Sequence, residues 1–468
     1  MDEIDDRSAF VRETDTDAPA ATATPSGAAV VSASAERTGT PDAPVPAPTW
    51  WVRPGLDVRD GRLHVAGRDA ERLAREHGTP LFAFDLTDVT DRMRRVQAAL
   101  AGAGLRHRVR FALKAQRAPE VLRALRALGA PGTPGAVGVD VCSPGEVAWA
   151  LEHGWRAEEL SYTGTNLVDR DLEQILAHPL KLNLDLLSQL RRVGRLAPGR
   201  RVGLRLNPRA GASRRFVPAG RSPDDELQFG IYASEKPTKF GIYAEQLDEA
   251  VAIAREHDLT IDTVGVHVCH QMHTDDLPRL DHALSVVAAM VEHLHEAGCP
   301  IAEVNTGGGL GEPMMEGEID LDLDAWAAVV ARCLGPLGAT ISTEPGEFFF
   351  AASGVLLAEV ATVEDRLGTT FVGLNAGWNT AAVRFVWGEF LEVVPVVGPL
   401  AVRPRRVTIS GHINEAPDLF AEDYPFATVA EGDIVALLNV GGYCQAAGGS
   451  HCLRPVAPAV YFADRLGA

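Results

Sequence analysis

Eight short apolar runs, each followed by a stretch with helical spacing, constrain this chain more than any other feature. The runs are RFALKA (110–115), AVGVDV (136–141), ELSYTG (159–164), LKLNLD (180–185), VGLRLN (202–207), IDTVGVHV (261–268), IAEVNT (301–306) and ATISTE (339–344). Between them lie PEVLRALRALG (119–129), PGEVAWALEHG (144–154) and AEQLDEAVAIAREHD (244–258). There, apolar residues recur three and four positions apart, with Gly or Pro as punctuation. Alternating strand and helix signals indicate a parallel sheet covered by helices. Eight such units over about 240 residues match the number and size of a closed (β/α)8, or TIM, barrel. A doubly wound open sheet is the alternative that the pattern alone leaves in place.

The texture changes around residue 346. FFFAASGVLLAEVATVED, TTFVGLNA, FLEVVPVVGP, RRVTISGH and DIVALLNVGGYC are β-rich with no long helix between them. We therefore expect a barrel over 79–345 and an all-β domain over 346–468. The segment 49–78 contains VRDGRLHVA, which reads as a hairpin arm contributing to the β domain. Residues 1–48 are rich in Ala, Pro, Thr, Ser and Val. Nine acids and three arginines in the first 50 residues leave a net charge of -6 there. Such a segment is expected to be a disordered tail. After the fifth run lies a long Gly-, Pro- and charge-rich stretch, GASRRFVPAGRSPDDELQFGIYASEKPTKFGIYAEQ. In a barrel it falls on the C-terminal rim, where active-site loops belong.

The net charge of the whole chain, -19, argues against a nucleic-acid binder, which needs clustered Lys and Arg. No apolar run reaches the ~20 residues of a membrane helix. The start, MDEIDDRSAF, is acidic and lacks the basic region of a secretory signal. Six scattered cysteines without a CxxC pair suggest reduced thiols. A cytoplasmic protein is expected.

Three features carry chemistry. Lys114 lies in FALKAQ, where burying an amine is expensive unless it is paired or reactive. It is either a snorkelling lysine or an amine that attacks a carbonyl. NTGGGLG after the seventh run places Gly307, Gly308 and Gly309 where converging backbone N–H groups suit a phosphate. Glu344, in STEPGE at the end of the eighth run, is a carboxylate for the barrel mouth. A phosphate loop, a lysine able to react with an aldehyde, and a carboxylate able to hold a ring nitrogen protonated fit pyridoxal 5'-phosphate.

These motifs resemble the pyridoxal-phosphate-dependent amino acid decarboxylases of the alanine-racemase-like barrel, closest to the diaminopimelate and ornithine decarboxylase group. The resemblance spans roughly residues 75–460. FALKAQ looks like the family's YAVKAN, implying that Lys114 carries the cofactor. VDVCSPGEV resembles the stretch that shapes the cofactor pocket, here Asp140, Ser143 and Glu146. KFGI (Lys239–Ile242) is similar to a family hallmark. NTGGGLG resembles the phosphate loop, and EPG the segment whose glutamate, here Glu344, meets the pyridine nitrogen. GGYC resembles the segment whose tyrosine, here Tyr443, touches the phosphate. The resemblance implies decarboxylation of an α-amino acid to an amine and CO2, by a homodimer with shared active sites. Racemisation at Cα on the same fold is the competing class, and a non-catalytic cofactor-binding protein a third.

Three departures stand out. The family's EPGR reads EPGE here: Glu347 in place of arginine either recognises a cationic substrate group or faces away, and the long loop after the fifth run leaves a bulkier, natural-product-related substrate as the alternative. The family's cysteine-bearing segment reads GHINEAPD. Asn414 replaces the cysteine, Glu415 and Asp418 remain, and His412 is a neighbouring candidate for returning the proton; the resemblance implies that Asn414, Glu415 and Asp418 of one subunit complete the other's site, with His412, Glu415 and Asp418 as candidates for the substrate end and Asn414 and Glu415 as candidates for the chemistry. The family's G-L-H-x-H-I-G-S reads GVHVCHQMH (265–273). Without a gap, Cys269 takes the place of the histidine that stacks on the cofactor ring. With one extra residue, as at a strand-end bulge, His270 takes it, and that register is preferred because a flat ring suits the cofactor face. No metal is expected there, since His267, Cys269 and His270 cannot all point one way along a strand.

Overall fold

The computed structural model describes residues 46–133, 135–213 and 237–465. The expected tail, almost entirely, and the centre of the long loop after the fifth run lie outside the described residues.

Each of the eight runs carries one strand of a closed parallel barrel. In chain order these are β1 (His107–Ala112), β2 (Val137–Val141), β3 (Leu160–Thr163), β4 (Lys181–Leu184), β5 (Arg201–Arg205), β6 (Thr260–Gly265), β7 (Glu303–Asn305) and β8 (Thr340–Thr343). Strand β8 returns to β1 through Ile341–His107 and Thr343–Val109, which closes the ring. Strand β1 ends earlier than expected. Leu113–Ala115 curl into a 3-10 turn, so Lys114 stands just beyond the strand rather than within it.

The helices follow their strands with local signals in place. Pro119–Arg126 and Pro144–Glu152 start on proline, whose fixed φ suits a first helical turn. The outer ring also includes Leu86–Gly102, which precedes β1 and packs against Leu323–Leu334. Asp85 caps it by accepting hydrogen bonds from the backbone N–H groups of Thr87 and Asp88.

The second domain is built around the 13-residue strand Gly354–Arg366. This strand pairs with Ile434–Leu437 and Thr369–Leu374, and the sheet continues to Val393–Pro395 on one side and to Arg405–Ser410 and Leu419–Phe426 on the other. It also pairs with Leu81–Asp85, which is joined in parallel by Ala459–Phe462 near the C-terminus. The boundary expected at residue 79 is therefore misplaced: LFAFD belongs to the β domain and the barrel proper starts after it. Strand periodicity explains why all five of its residues are buried. Phe82 and Phe84 face the core shared with the barrel, while Leu81 and Ala83 face a smaller core under the N-terminal arm. The arm itself is a hairpin of Leu56–Arg59 and Arg62–Val65. Asp60 and Gly61 both have positive φ at its turn, as a two-residue hairpin connection favours. Leu63 N–H donates to the Val396 carbonyl at 2.8 Å, which docks the arm on the β domain. No helix among the described residues is long and apolar enough to cross a membrane.

Candidate active site

The C-terminal ends of the barrel strands surround a cavity of about 100 Å³. The turn after β1 sends Lys114 into it, and β2 contributes Asp140. Burial, the largest single influence, would lower the Lys114 pKa, but Asp140, Cys142 and Glu146 together outweigh it and the amine is raised above its ordinary value. Asp140 is itself pushed up by burial and by the facing Glu344, with Lys114 acting in the opposite direction.

Glu344 follows β8. Its N–H donates to the Gly307 carbonyl at 2.7 Å, tying the end of β8 to the glycine loop. The Glu344 Oε1 atom is buried and has no hydrogen-bond partner among the described residues. Behind it, Arg110 of β1 lies 3.7 Å from Glu344 and 2.8 Å from Glu303 of β7. Glu303 also meets Lys181 at 3.1 Å and accepts from the Ser342 hydroxyl at 2.7 Å. Burial would raise the Glu303 pKa, but Arg110 and then Lys181 override it and hold this carboxyl far below the usual range. This ionic layer beneath the cavity was not foreseen. Its signal was charged residues, Arg110, Lys181 and Glu303, inside otherwise apolar strands.

The glycine loop fits tightly against the end of β6. A Cβ on Gly307 would stand 2.3 Å from the Val266 carbonyl oxygen, and one on Gly309 2.0 Å from that of Cys269. Both glycines have positive φ, so their lack of a side chain is required twice over. The Asn305 side chain accepts from the Gly307 N–H at 2.9 Å. From the β domain, Tyr443 reaches the same cavity. Its N–H donates to the Ala115 carbonyl at 2.7 Å, anchoring it to the turn that carries Lys114. A Cβ on Gly346 would fall 2.5 Å from the Tyr443 hydroxyl.

Of GVHVCHQMH, Gly265, Val266 and His267 line the cavity, so the histidine in the wall is His267, not His270. The Gly308 N–H lies 3.3 Å from His267 Nδ1. Burial, followed by Arg205 and Lys114, lowers the His267 pKa well below its ordinary value, so the imidazole is neutral. The register with an extra residue fails to bring His270 to the cavity because the backbone has already turned away. Cys269 and His270 pair in parallel with Ala212–Ser213. Cys269 is buried with its Sγ 3.5 Å from the Met272 sulfur. His270 instead approaches Glu389 at 3.8 Å and packs edge-on against Trp387. His273 meets the Ile319 carbonyl at 2.5 Å.

Other expected residues stand outside the wall. Ser143 caps the helix Pro144–Glu152, accepting from the Glu146 N–H at 3.1 Å. Glu146 accepts from the Cys142 N–H at 2.8 Å. Glu347 is buried next to Gly442. His412 lies 3.0 Å from Asn379 Oδ1, and Glu415 pairs with His451 at 2.8 Å. Asp418 is buried and accepts from the N–H groups of Trp378 and Ile413. Asn414 is exposed. None of these four reaches the cavity of its own chain. Arg205, at the end of β5 with its guanidinium over the Phe240 ring, lines the cavity and was missed by motif reading.

The donor set fits pyridoxal phosphate on two structural grounds. A buried carboxylate oxygen, Glu344 Oε1, lacks a donor, and Gly307, Gly308 and Gly309 line the cavity with backbone alone, packed too closely on Val266, Glu344 and Cys269 to carry side chains. Comparisons with known proteins agree. Residues 86–351 match the pyridoxal binding domain of the pyridoxal-dependent decarboxylases. The diaminopimelate decarboxylase of Methanothermobacter thermautotrophicus is 30% identical over 412 residues, covering 86% of this chain and 91% of that protein. That of Streptomyces coelicolor is 30% identical over 420 residues, covering 84% and 87%. Among solved structures, the diaminopimelate decarboxylase of M. jannaschii in complex with L-lysine superposes with a TM-score of 0.75 at 23% identity, covering 87% of this chain and 92% of that one. The Vibrio vulnificus lysine/ornithine decarboxylase with putrescine gives 0.68 at 21% identity, covering 84% and 96%. At those identities the structures speak for the shared fold. On the family match and the sequence relatives together, this chain belongs to the pyridoxal-phosphate-dependent decarboxylases.

Proposed function

We propose that this enzyme decarboxylates a basic α-amino acid, and that Lys114, Glu344 and the Gly307–Gly309 loop are its core machinery. The observation that carries this reading is their convergence on one cavity at the C-terminal end of the barrel. When bound, pyridoxal 5'-phosphate supplies an electron sink for the charge left at Cα as CO2 departs. The protein's part is to hold and orient. Lys114 is the attachment point. The Glu344 carboxylate would meet the ring nitrogen and keep it protonated. The backbone of the glycine loop and the Tyr443 hydroxyl hold the phosphate. Asp140 sets the charge on Lys114, and neutral His267 supplies a flat, uncharged wall. Because the relatives are named for diaminopimelate, lysine and ornithine, a substrate with a second amine is the favoured class.

The reading extends to a homodimer in a cytoplasmic setting. Asn414, Glu415, Asp418 and His412 lie away from their own cavity, which is compatible with a role in completing the partner's. Asn414 is not a useful acid, so the proton returned to Cα must come from another group, and Lys114 is the ammonium already in the cavity. The test is borohydride reduction of the holoenzyme followed by peptide mass spectrometry. The label is expected on Lys114 and absent from Lys114→Ala. A label on another lysine would refute the assignment.

A further inference from the structure

Beside the Gly346–Tyr443 wall lies a group of acids with no cation of their own. Glu347 directly follows Gly346, and its carboxyl group is the nearest feature to Gly442, 3.1–3.5 Å from where a Cβ would stand. Glu389 is 1% exposed. Its neighbour Trp387 packs edge-on against Tyr443, with ring centroids 4.6 Å apart. Glu347 Oε2 and both carboxylate oxygens of Glu389 are buried without a hydrogen-bond partner among the described residues. The Gln271 side chain faces Glu389 and favours its charged form, but a neutral amide brings no counter-charge. The charged groups around the pair do not neutralise it. Arg92 is engaged by Glu312, at 2.5 and 2.9 Å, and by Asp88 at 2.7 Å. His270, 3.8 Å from Glu389, has its pKa lowered by burial and is neutral.

Two adjacent buried carboxylates cannot both ionise without a counter-charge. Burial and then Glu312 push the Glu347 carboxyl up to about 8. Burial and then Glu347 push Glu389 well above the usual carboxylate range. The pair thus retains protons at neutral pH, and a cation would take their place. Among the described residues no group of three or more His, Cys, Asp or Glu side chains is arranged to hold a metal. An organic cation fits better, because it brings N–H donors for the orphaned oxygens and Trp387 offers an aromatic neighbour.

We infer that Glu347 and Glu389 together form a subsite for a cationic group, an ammonium or guanidinium, at the end of the substrate remote from its reacting amine. This rests on the function proposed above and sharpens it. The sequence singled out Glu347 alone. The structure adds Glu389 as its partner and makes the cation exchange with a proton.

The experiment compares 1,5-diaminopentane with n-pentylamine as ligands of the holoenzyme by calorimetry. The diamine is expected to bind about tenfold tighter or more. That preference is expected to grow from roughly pH 6.5 to 8.5, as the pair gives up its proton. Glu347→Gln and Glu389→Gln should each abolish most of the preference. Thermal melts of both variants control for folding, and they are expected to match or exceed the parent protein. Equal affinities in the parent protein, or a preference that survives in both variants, would overturn the subsite. Borohydride labelling of the same samples reports on Lys114 separately. A labelled Lys114 with equal amine affinities refutes the subsite and leaves the proposed function standing.

Discussion

Glu347 shows what a single buried carboxyl does to stability. Its pKa is about 8 in the folded chain against an ordinary 4.5. Below the ordinary value both states are protonated and nothing is lost. Between the two values the unfolded chain ionises while the folded one does not. Folding therefore weakens by up to about 1.4 kcal/mol per pH unit, and the loss is complete above the folded pKa. A Glu347→Gln protein lacks this penalty. Its melting temperature should exceed the parent's by a margin that grows from roughly pH 5 to 8 and then levels off. A constant margin across that range would show that Glu347 does not titrate as described. Glu344 lines the cavity, and its buried Oε1 has no hydrogen-bond partner among the described residues. A hydrogen bond to a charged group is worth about 1.5–3 kcal/mol, so Glu344→Gln should cut turnover on the order of 10- to 100-fold. Cofactor should remain bound, measured as the ratio of cofactor to protein after gel filtration.

At the scale of elements, the barrel was legible and the strand ends were not. The eight apolar runs declared their strands because parallel strands buried on both faces read as continuous apolar segments. Position along the chain also told which residues gather at the rim, since strand ends and the loops after them share one face. Lys114, Asp140, Glu344 and the glycines meet there for that reason. What happens within two or three residues of a strand end depends on neighbours far away in sequence. The 3-10 turn at Leu113–Ala115 and the bend after His267 are of this kind. Neither register read from the sequence, Cys269 or His270, named His267, which precedes them by two and three residues and is the histidine that lines the cavity. Likewise the ionic layer of Arg110, Lys181 and Glu303 needed three strands side by side to be seen. The tight fit of the glycine loop makes a prediction at this scale. Gly309→Ala forces a Cβ into the Cys269 carbonyl at positive φ. Cofactor affinity should fall by about tenfold or more, with strain of roughly 1–3 kcal/mol visible as a lower melting temperature. Unchanged affinity would mean that the loop does not form the phosphate cradle.

For the whole molecule, the two domains are interleaved rather than joined end to end. Leu81–Asp85 precedes the barrel yet lies between Gly354–Leu357 and Ala459–Phe462. Sequence order hides such a strand, because LFAFD looks like any other buried run and its partners lie hundreds of residues away. The barrel cavity in turn depends on Tyr443 from the β domain. A fragment covering 79–345 would leave LFAFD without its sheet and the cavity without one wall. We expect it to be insoluble or to bind no cofactor, whereas the intact chain melts with the two domains together. A soluble fragment with full cofactor affinity would show that the β domain is dispensable.

The central claim is that this barrel removes a carboxyl group from a basic amino acid by way of Lys114. The most direct measurement is release of labelled CO2 from carboxyl-labelled lysine, ornithine and diaminopimelate by the holoenzyme, alongside exchange of the α-proton. The parent protein is expected to release CO2 stoichiometrically from at least one of them, and Lys114→Ala to release none. Exchange of the α-proton without CO2 release from any of the three would contradict the central claim.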